Sequence, residues 1–282
     1  MLRISARLFK QITNLQVRSN MTRHQTKMLK KYDLFLDDDL RLKPIDTEFI
    51  YPAKDILEHL GSSPRTARRI VSLFSSFLNG PILEVGGGVG QITNELMRVH
   101  SAVTVLEPDV DLYSNLVDRF SRYPTISVSN SSINTFQNKM LFGSAVYVNV
   151  LEHIANDRGE LISANRTLLP GGTVVIFSPA LPFLYGSLDG LSGHFRRYRK
   201  KELISVVKDA GFEVVHAEYF DPIGILPYLF MYRLLRIRSI GSGGMFIYDH
   251  AILPLSTLFS KMAGKRIIGK NLLVVGQKSD QT

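Results

Sequence analysis

Short apolar runs alternate with helical patterns through the middle of the chain. From Pro81 onward, the buried runs predict strands at 82–85, 102–106, 126–128, 145–148 and 173–178. Apolar residues at helical spacing predict helices at 91–99, 111–120 and 157–169. Short apolar strands separated by helices are typical of a parallel sheet that is covered on both faces. The pattern therefore predicts an α/β, doubly wound fold.

Further elements flank this region. Ser63 and Pro64 form a helix start, and Asn79–Gly80 is a helix stop. A helix at 200–210 and strands at 213–219 and 271–276 follow on the C-terminal side. We divide the chain into a basic tail at 1–32, a helical lead-in at 33–80 and a main domain at 81–282. The main domain holds an apolar helical insertion at about 222–265, before its last strand.

The net charge of +9 is unevenly distributed. Residues 1–31 carry eight Lys or Arg and no acid, residues 32–189 carry a net charge of −6, and residues 190–282 carry +7. A protein that binds duplex nucleic acid needs one coherent basic face, so we expect no nucleic-acid partner. Basic ends favour a membrane surface or a small anionic substrate. Cysteine is absent, which excludes disulfides and thiolate chemistry.

The first 31 residues are basic and weakly amphipathic, similar to an organellar transit peptide. The alternative is a solvated tail with Met21 as the true start. The longest uncharged apolar run, about 222–232, is well short of the roughly 18–20 residues that span a bilayer. We expect a cytoplasmic protein with possible contact to a membrane surface, or a mitochondrial one if the tail is a transit peptide. The oligomeric state is left open.

A glycine-rich stretch, Glu84-Val85-Gly86-Gly87-Gly88-Val89-Gly90, closes the first strand. Gln91 stands where a dinucleotide fold needs its third glycine, which argues against a nicotinamide cofactor. Small residues let the backbone approach a ligand, and the following helix offers free amides. Glu107 ends the second strand, where a carboxylate accepts hydrogen bonds from ribose hydroxyls. Together these features predict an adenosine-bearing ligand.

Four motifs in order resemble class I S-adenosylmethionine-dependent methyltransferases. They are ILEVGGGVG at 82–90, VTVLEPD at 103–109, NVLEHI at 149–154 and LLPGGTVVIFSPA at 168–180. The resemblance covers about residues 80–178. It implies a seven-stranded, mostly parallel sheet with an antiparallel last strand. It also implies S-adenosyl-L-methionine as methyl donor and direct displacement at the sulfonium carbon.

The resemblance further implies which residues contact the cofactor. Many relatives place an Asp after the third strand against the adenine amino group, whereas this chain has no acid at 128–132. A Ser or Asn would make that contact more weakly, and we assign it to Ser131. The other cofactor residues implied are Glu84, Gly86 and Gly88 at the methionine end, Gly90 in the same loop, Glu107 at the ribose, Pro108 beside the adenine and Asn149 near the sulfonium.

Glu152–His153 resembles part of an E-x-x-E-H pattern with which a smaller set of methyltransferases binds a divalent metal. Asn149 stands at the first position in place of Glu. Two potential ligands without a visible third make a poor divalent site. No metal is therefore predicted.

The stretch SLDGLSGHFRRYRKKEL at 187–203 resembles a D-x-x-x-G-H-x-R-R-Y motif of a bacterial-type branch of the family. His194 is the candidate general base because imidazole titrates near neutral pH, and Asp189 is placed to orient it. Tyr198 is a third catalytic candidate. We expect it to form part of the wall of the substrate pocket or to donate a hydrogen bond to the substrate. Arg196 and Arg197 are candidates to grip a carboxylate or phosphate of the substrate. The alternative is that RRYRKK is a solvated, basic helix start.

The region 222–262 is apolar and aromatic and carries Arg233, Arg236 and Arg238, with a second apolar helix at about 245–262. It predicts either a cap over an apolar substrate or a shallow membrane contact with arginines at the headgroups. Core packing is the alternative. We expect methyl transfer to an oxygen of a small or lipid-linked acceptor. The alternatives are a protein or RNA methyltransferase and an S-adenosylmethionine-binding protein without activity.

Overall fold

The computed structural model describes residues 63–137, 140–238, 242–263 and 268–280. Within them lies a seven-stranded sheet of order β3-β2-β1-β4-β5-β7-β6. The strands are β1 Ile82–Val85, β2 Val103–Leu106, β3 Ile126–Ser129, β4 Phe142–Val148, β5 Leu168–Pro179, β6 Phe212–Phe220 and β7 Asn271–Lys278. Strands β1 to β5 pair in parallel, and β7 runs antiparallel to β5 and β6. The predicted doubly wound sheet with an antiparallel last strand is confirmed.

Helices flank the strands in the predicted alternation. They are α1 Pro64–Phe74, α2 Gln91–Val99, α3 Val110–Phe120, α4 Asp157–Thr167, α5 Ser187–Leu191, α6 Lys200–Asp209, α7 Ile225–Tyr228, α8 Ser242–Ile247 and α9 Leu253–Ala263. Single 3-10 turns occur at Ser75–Phe77, Leu151–His153 and Pro182–Leu184, and π-helical segments at Leu229–Leu234 and Tyr248–Ile252. The proposed tail at 1–32 and the lead-in before Ser63 lie outside the described residues.

Adjacent residues of the central strands belong to opposite cores. Ile82 and Val175 pack in one apolar cluster with α1 and α2, whereas Leu83 and Ile176 pack in the other with α4 and α6. Side chains alternate between the two faces of a strand, so this division places one core on each face of the sheet. A continuously apolar strand is the sequence signature of that arrangement.

Strand β5 begins earlier than its sequence pattern predicts. Leu168 pairs with Phe142, the register then shifts, and regular pairing resumes at Thr173 opposite Ser144. Gly171 lies in the left-handed region, with φ 71°, within the irregular stretch. The predicted Gly171–Gly172 turn is thus an irregularity inside the strand's bounds, and α4 ends at Thr167 instead of Leu169.

The insertion before β7 is helical, as expected, and two buried carboxylates attach it to the domain. Asp221 accepts hydrogen bonds from Ser256 (2.7 Å) and Tyr248 (2.6 Å) and lies 3.1 Å from the Lys270 ammonium. Asp249 accepts a hydrogen bond from the hydroxyl of Ser63, the N-cap of α1. In the described part of the chain, no helix has the length and apolar character needed to cross a bilayer.

Candidate active site

The strand order reverses between β1 and β4, since β2 and β3 follow β1 on one side and β4 lies on the other. Ligands of open α/β sheets bind beyond the carboxyl ends of the strands at such a point. The loops after β1, β2, β3 and β4 meet there. They carry the cofactor residues that the sequence predicted, so the topology brings those residues to one sheet edge.

The glycine loop combines close packing with an open groove. Gly86 has φ 79°, and a Cβ there would lie 2.5 Å from Val150 Cγ2. Gly88 has φ 53°, and a Cβ there would meet no atom within 4 Å. Gly90 caps α2, and a Cβ on it would lie 2.8 Å from the Phe120 ring. Gly88 therefore borders open space that a ligand can fill, whereas Gly86 and Gly90 permit close packing around it.

Glu107 is held in a fixed orientation beside this loop. It is 4% exposed, and its two carboxylate oxygens accept hydrogen bonds from the backbone N–H groups of Gly88 (2.8 Å) and Asp109 (2.9 Å). A carboxylate offers about four acceptor positions, so ribose hydroxyls can bind in addition to these two donors. The preoriented carboxylate fits the predicted ribose contact.

Glu84 is a buried acid at the end of β1. Its Oε2 has no hydrogen-bond partner among the described residues. Burial raises the pKa of Glu84 to about 8 although hydrogen bonding with Thr93 opposes the shift, and the charge of Glu107 adds to it. A buried polar atom without a partner is costly unless a ligand satisfies it. The α-ammonium group of a bound methionine moiety would do so, which fits the role that the resemblance implies.

The adenine side is built from the loops after β2 and β3. Asn130 donates to the backbone oxygens of Glu107 (2.9 Å) and Pro108 (3.2 Å). Ser131 is half-buried and shares a hydrogen bond of 3.0 Å with Ser129. Asn130 thus ties the two loops together, and Pro108 and Ser131 lie on the loops where the sequence predicted adenine contacts.

Asn149 lies in the left-handed region, with φ 54°, directly after β4. Its side chain is exposed, and its N–H donates to the Phe177 carbonyl at 2.7 Å. Non-glycine residues rarely adopt this conformation, and those that do are concentrated at functional sites. Asn tolerates this region better than most non-glycine residues do, and the conformation is consistent with the predicted position near the sulfonium.

A polar cluster follows Asn149. Glu152 is fully buried, and its Oε2 accepts a hydrogen bond from Ser178 at 2.9 Å. Its Oε1 lies 3.9 Å from Nε2 of His194, and burial raises its pKa. The rings of His153 and His194 meet edge to face at 4.6 Å, and desolvation lowers the pKa of His153 well below its ordinary value. The turn after β4 and the loop after α5 therefore converge.

Asp189 is the hub of this cluster. It accepts hydrogen bonds from His194 Nδ1, Arg197 Nε and Tyr228 Oη, each at 2.8 Å. Burial opposes ionisation of Asp189, but the hydrogen bond from His194 and the charge of Arg197 outweigh it and hold the pKa well below its usual range. The predicted pairing of Asp189 with His194 is present in the structure.

The rest of the G-H-x-R-R-Y motif turns inward. The Arg197 side chain is 3% exposed, lies 4.2 Å above the Tyr228 ring and donates to the Ala180 carbonyl. Tyr198 is buried and donates to Asp157 at 2.9 Å. Arg196 also binds Asp157, at 2.6 Å, but is 27% exposed. The burial of Arg197 does not support a grip on a substrate anion, and the packing of Tyr198 and Arg197 is not that of a solvated helix start.

Comparison with known proteins identifies the family. A profile described as a methyltransferase domain matches residues 56–217, more than half of the chain. The chain belongs to this family. The methyltransferase is thus an enzyme that uses S-adenosylmethionine as its methyl donor, and the cofactor implied by the resemblance is confirmed.

Individual relatives are distant. The chain is 33% identical over 75 residues to the ribosomal RNA small subunit methyltransferase A of Thermotoga maritima, and this match covers 25% of the chain and 27% of that protein. A methyltransferase structure from Archaeoglobus fulgidus is 15% identical, with a TM-score of 0.52, over 77% of this chain and 95% of that one. The [4+2]-cyclase SpnF is 14% identical, with a TM-score of 0.52, over 75% and 80%. These two structures share the fold.

Sequence reasoning missed two features of the methyltransferase site. The first is that His194 joins Glu152 and His153, with candidate ligand atoms all within 4.8 Å of one another. The second is that Tyr228, in the insertion, contacts Asp189. A signal for the first was present, because both motifs follow strands whose carboxyl ends meet at one sheet edge. The second had no sequence signal, since nothing in an apolar helix identifies its distant partner.

Proposed function

We propose that the methyltransferase transfers a methyl group to an oxygen atom of a small or lipid-linked acceptor, and that it belongs to the branch with the G-H-x-R-R-Y motif. The observation that carries the proposal is the contact of the insertion with the polar cluster. Tyr228 of α7 donates to the carboxylate that holds His194, and Ser187 donates to the Tyr232 carbonyl at 3.1 Å. These contacts of the insertion with Asp189 and Ser187 support a role for the insertion in holding the acceptor.

A hydroxyl acceptor suits the His194–Asp189 pair. Asp189 holds Nδ1 of His194, which fixes the ring and leaves Nε2 on the side of Glu152. A base so placed takes the proton of a hydroxyl nucleophile. The donor supplies a methyl group that its sulfonium already activates, so alignment of acceptor and donor accounts for much of the acceleration. Proton removal matters for a hydroxyl more than for a neutral amine.

The exposed face of the insertion supports a lipid-linked acceptor at a membrane surface. Large patches of exposed apolar side chains mark interaction sites. Arg233, Arg236 and Arg238 are exposed in the same segment and suit anionic headgroups. The apolar residues of the insertion that are at least 48% exposed include Leu226, Phe230, Leu234, Leu235, Phe246, Ile247, Leu255, Leu258, Phe259 and Met262.

A cavity beyond β5 adds to this argument. Its volume is about 590 Å³, and it is lined by apolar residues that include Leu181, Phe183 and Ile204. Arg199 and Lys201 stand at the same cavity. An open apolar groove with cationic side chains suits a molecule with a hydrocarbon chain and an anionic group.

The test is transfer of radioactive methyl groups to extracts divided into lipid, aqueous small-molecule and macromolecular fractions. We expect label in the lipid or small-molecule fraction, abolished by Glu107→Ala and retained with Glu213→Ala, which removes an exposed acid of β6. Label that precipitates with acid and disappears after nuclease or protease treatment would replace this proposal with a macromolecular acceptor. The partial similarity to a ribosomal RNA methyltransferase makes that the second candidate.

A further inference from the structure

The side chains of Glu152, His153 and His194 converge as metal ligands do. Each offers one ligand atom, and these atoms all lie within 4.8 Å of one another. Glu152 is fully buried, and its Oε1 has no hydrogen-bond partner among the described residues. The nearest charged-group contact of that carboxylate is His194 Nε2 at 3.9 Å, which is too far for a hydrogen bond. A buried carboxylate oxygen is therefore aimed into the cluster without a donor.

The outer atoms of these three side chains already have partners. Ser178 donates to Glu152 Oε2, and Asp189 binds His194 Nδ1. The backbone of Ser192 hydrogen-bonds the His153 ring. Metal-binding histidines and carboxylates characteristically have such outer partners, which fix the ring orientation and leave the inner atom for the ion. Glu152 Oε1 and His194 Nε2 are the inner atoms here.

We propose that Glu152, His153 and His194 bind one divalent transition-metal ion, of the type of Zn²⁺ or Mn²⁺. One carboxylate and two imidazoles suit these ions, whereas Mg²⁺ and Ca²⁺ prefer oxygen ligands throughout. In a tetrahedral site with metal–ligand bonds of roughly 2.0–2.2 Å, two ligand atoms lie about 3.3–3.6 Å apart. The Glu152–His194 separation of 3.9 Å is slightly above this range. The widest separation, which is within 4.8 Å, needs a contraction of about 1.2 Å.

The ion would occupy the atom of His194 that otherwise serves as a base. The two roles are therefore exclusive in one molecule. A bound ion has open positions for water or an acceptor oxygen, and it would lower the pKa of that oxygen in place of the imidazole. Metal binding itself does not depend on the identity of the acceptor.

The experiment uses the full chain without an affinity tag, treated with a chelator and dialysed. Zn²⁺ and Mn²⁺ are titrated by calorimetry, metal content is measured by mass spectrometry, and Co²⁺ is added to obtain a visible ligand-field spectrum. We expect one saturable equivalent. Loss of an outer partner typically weakens metal binding about 10–100-fold, so removing a ligand in Glu152→Gln, His153→Ala or His194→Ala should weaken it by at least about 100-fold.

The matched control is His216→Ala, which removes a partly exposed histidine 3.3 Å from Glu218 on β6. It should bind the ion as the unchanged protein does. Circular dichroism and S-adenosylhomocysteine binding establish that each variant is folded. The proposal is overturned if the unchanged protein binds no more metal than the folded Glu152→Gln variant, or if His216→Ala causes the same loss. Neither result decides whether the protein transfers methyl groups, which is measured separately.

Discussion

Ionisation of Glu84 should couple cofactor binding to pH. Glu84 is 2% exposed, and its burial raises its pKa to about 8. Without cofactor it is therefore about 90% protonated at pH 7. The α-ammonium group of the cofactor favours the ionised form, since an opposite charge nearby lowers the pKa of a carboxyl group. We predict that binding at pH 7 releases close to one proton.

The size of the effect on cofactor affinity follows from the difference between the pH and the pKa of Glu84. Ionising Glu84 at pH 7 costs about 1.4 kcal/mol, which weakens binding about tenfold relative to an already ionised carboxylate. The dissociation constant should therefore fall about tenfold per pH unit between pH 6 and 7.5 and level off near pH 8. Glu84→Gln should remove this dependence and bind most poorly, relative to the unchanged protein, at the upper end of the range.

The assay is calorimetry with S-adenosylhomocysteine at pH 7 in buffers of different ionisation enthalpy. The slope of the observed enthalpy gives the protons released, close to one for the unchanged protein and near zero for Glu84→Gln. Glu213→Gln, at an exposed acid of β6, is the control and should release as many protons as the unchanged protein. Equal release by the Glu84→Gln variant, or no buffer dependence at all, would refute the reasoning.

Three further predictions concern stability and surface binding. Burial raises the pKa of Glu160 to about 7, above the ordinary value of 4.5 that it has in the unfolded chain. The protonated carboxyl group therefore contributes to folding stability at low pH, and this contribution is lost as pH rises from 4.5 to 7. Glu160→Gln should remove about 1.4 kcal/mol per pH unit from the slope of the free energy of unfolding against pH, measured by chemical denaturation. An unchanged slope would contradict this. Asp221→Ala leaves the Lys270 ammonium without its partner and should cost about 3–5 kcal/mol in chemical unfolding; a loss below about 1 kcal/mol would contradict this. Phe230→Asp should reduce sedimentation with anionic vesicles several-fold, whereas Val215→Asp, on β6, should not; equal losses would exclude the insertion as the contact surface.

The sheet and the cofactor half of the site could be predicted because their signals are local. An apolar run that ends in Gly86 and Gly88, followed by a strand that ends in Glu107, specifies both a turn and a ligand class within one short segment. The start of β5 could not be predicted in the same way. Leu168 joins the sheet through pairing with Phe142, a partner that periodicity does not identify.

The acceptor half is different because its residues are defined by distant partners. In the sequence, Arg196 and Arg197 look alike, yet one is partly exposed beside Asp157 and the other is buried against Asp189. A run of basic residues carries no information about which of them meets a carboxylate elsewhere in the chain. For the same reason, the sequence shows only two adjacent potential metal ligands, Glu152 and His153, because the third, His194, lies in another motif.

Asp189 explains why the two halves of the site should respond differently to mutation. Its carboxylate accepts hydrogen bonds from the imidazole of His194, the proposed base, from the buried guanidinium of Arg197 and from the Tyr228 hydroxyl of the insertion. A change in the insertion that displaces Tyr228 therefore alters the orientation of His194 without touching Glu84 or Glu107. Tyr228→Phe should leave S-adenosylhomocysteine affinity unchanged while slowing methyl transfer, and parallel losses of both would show that the halves are not separable.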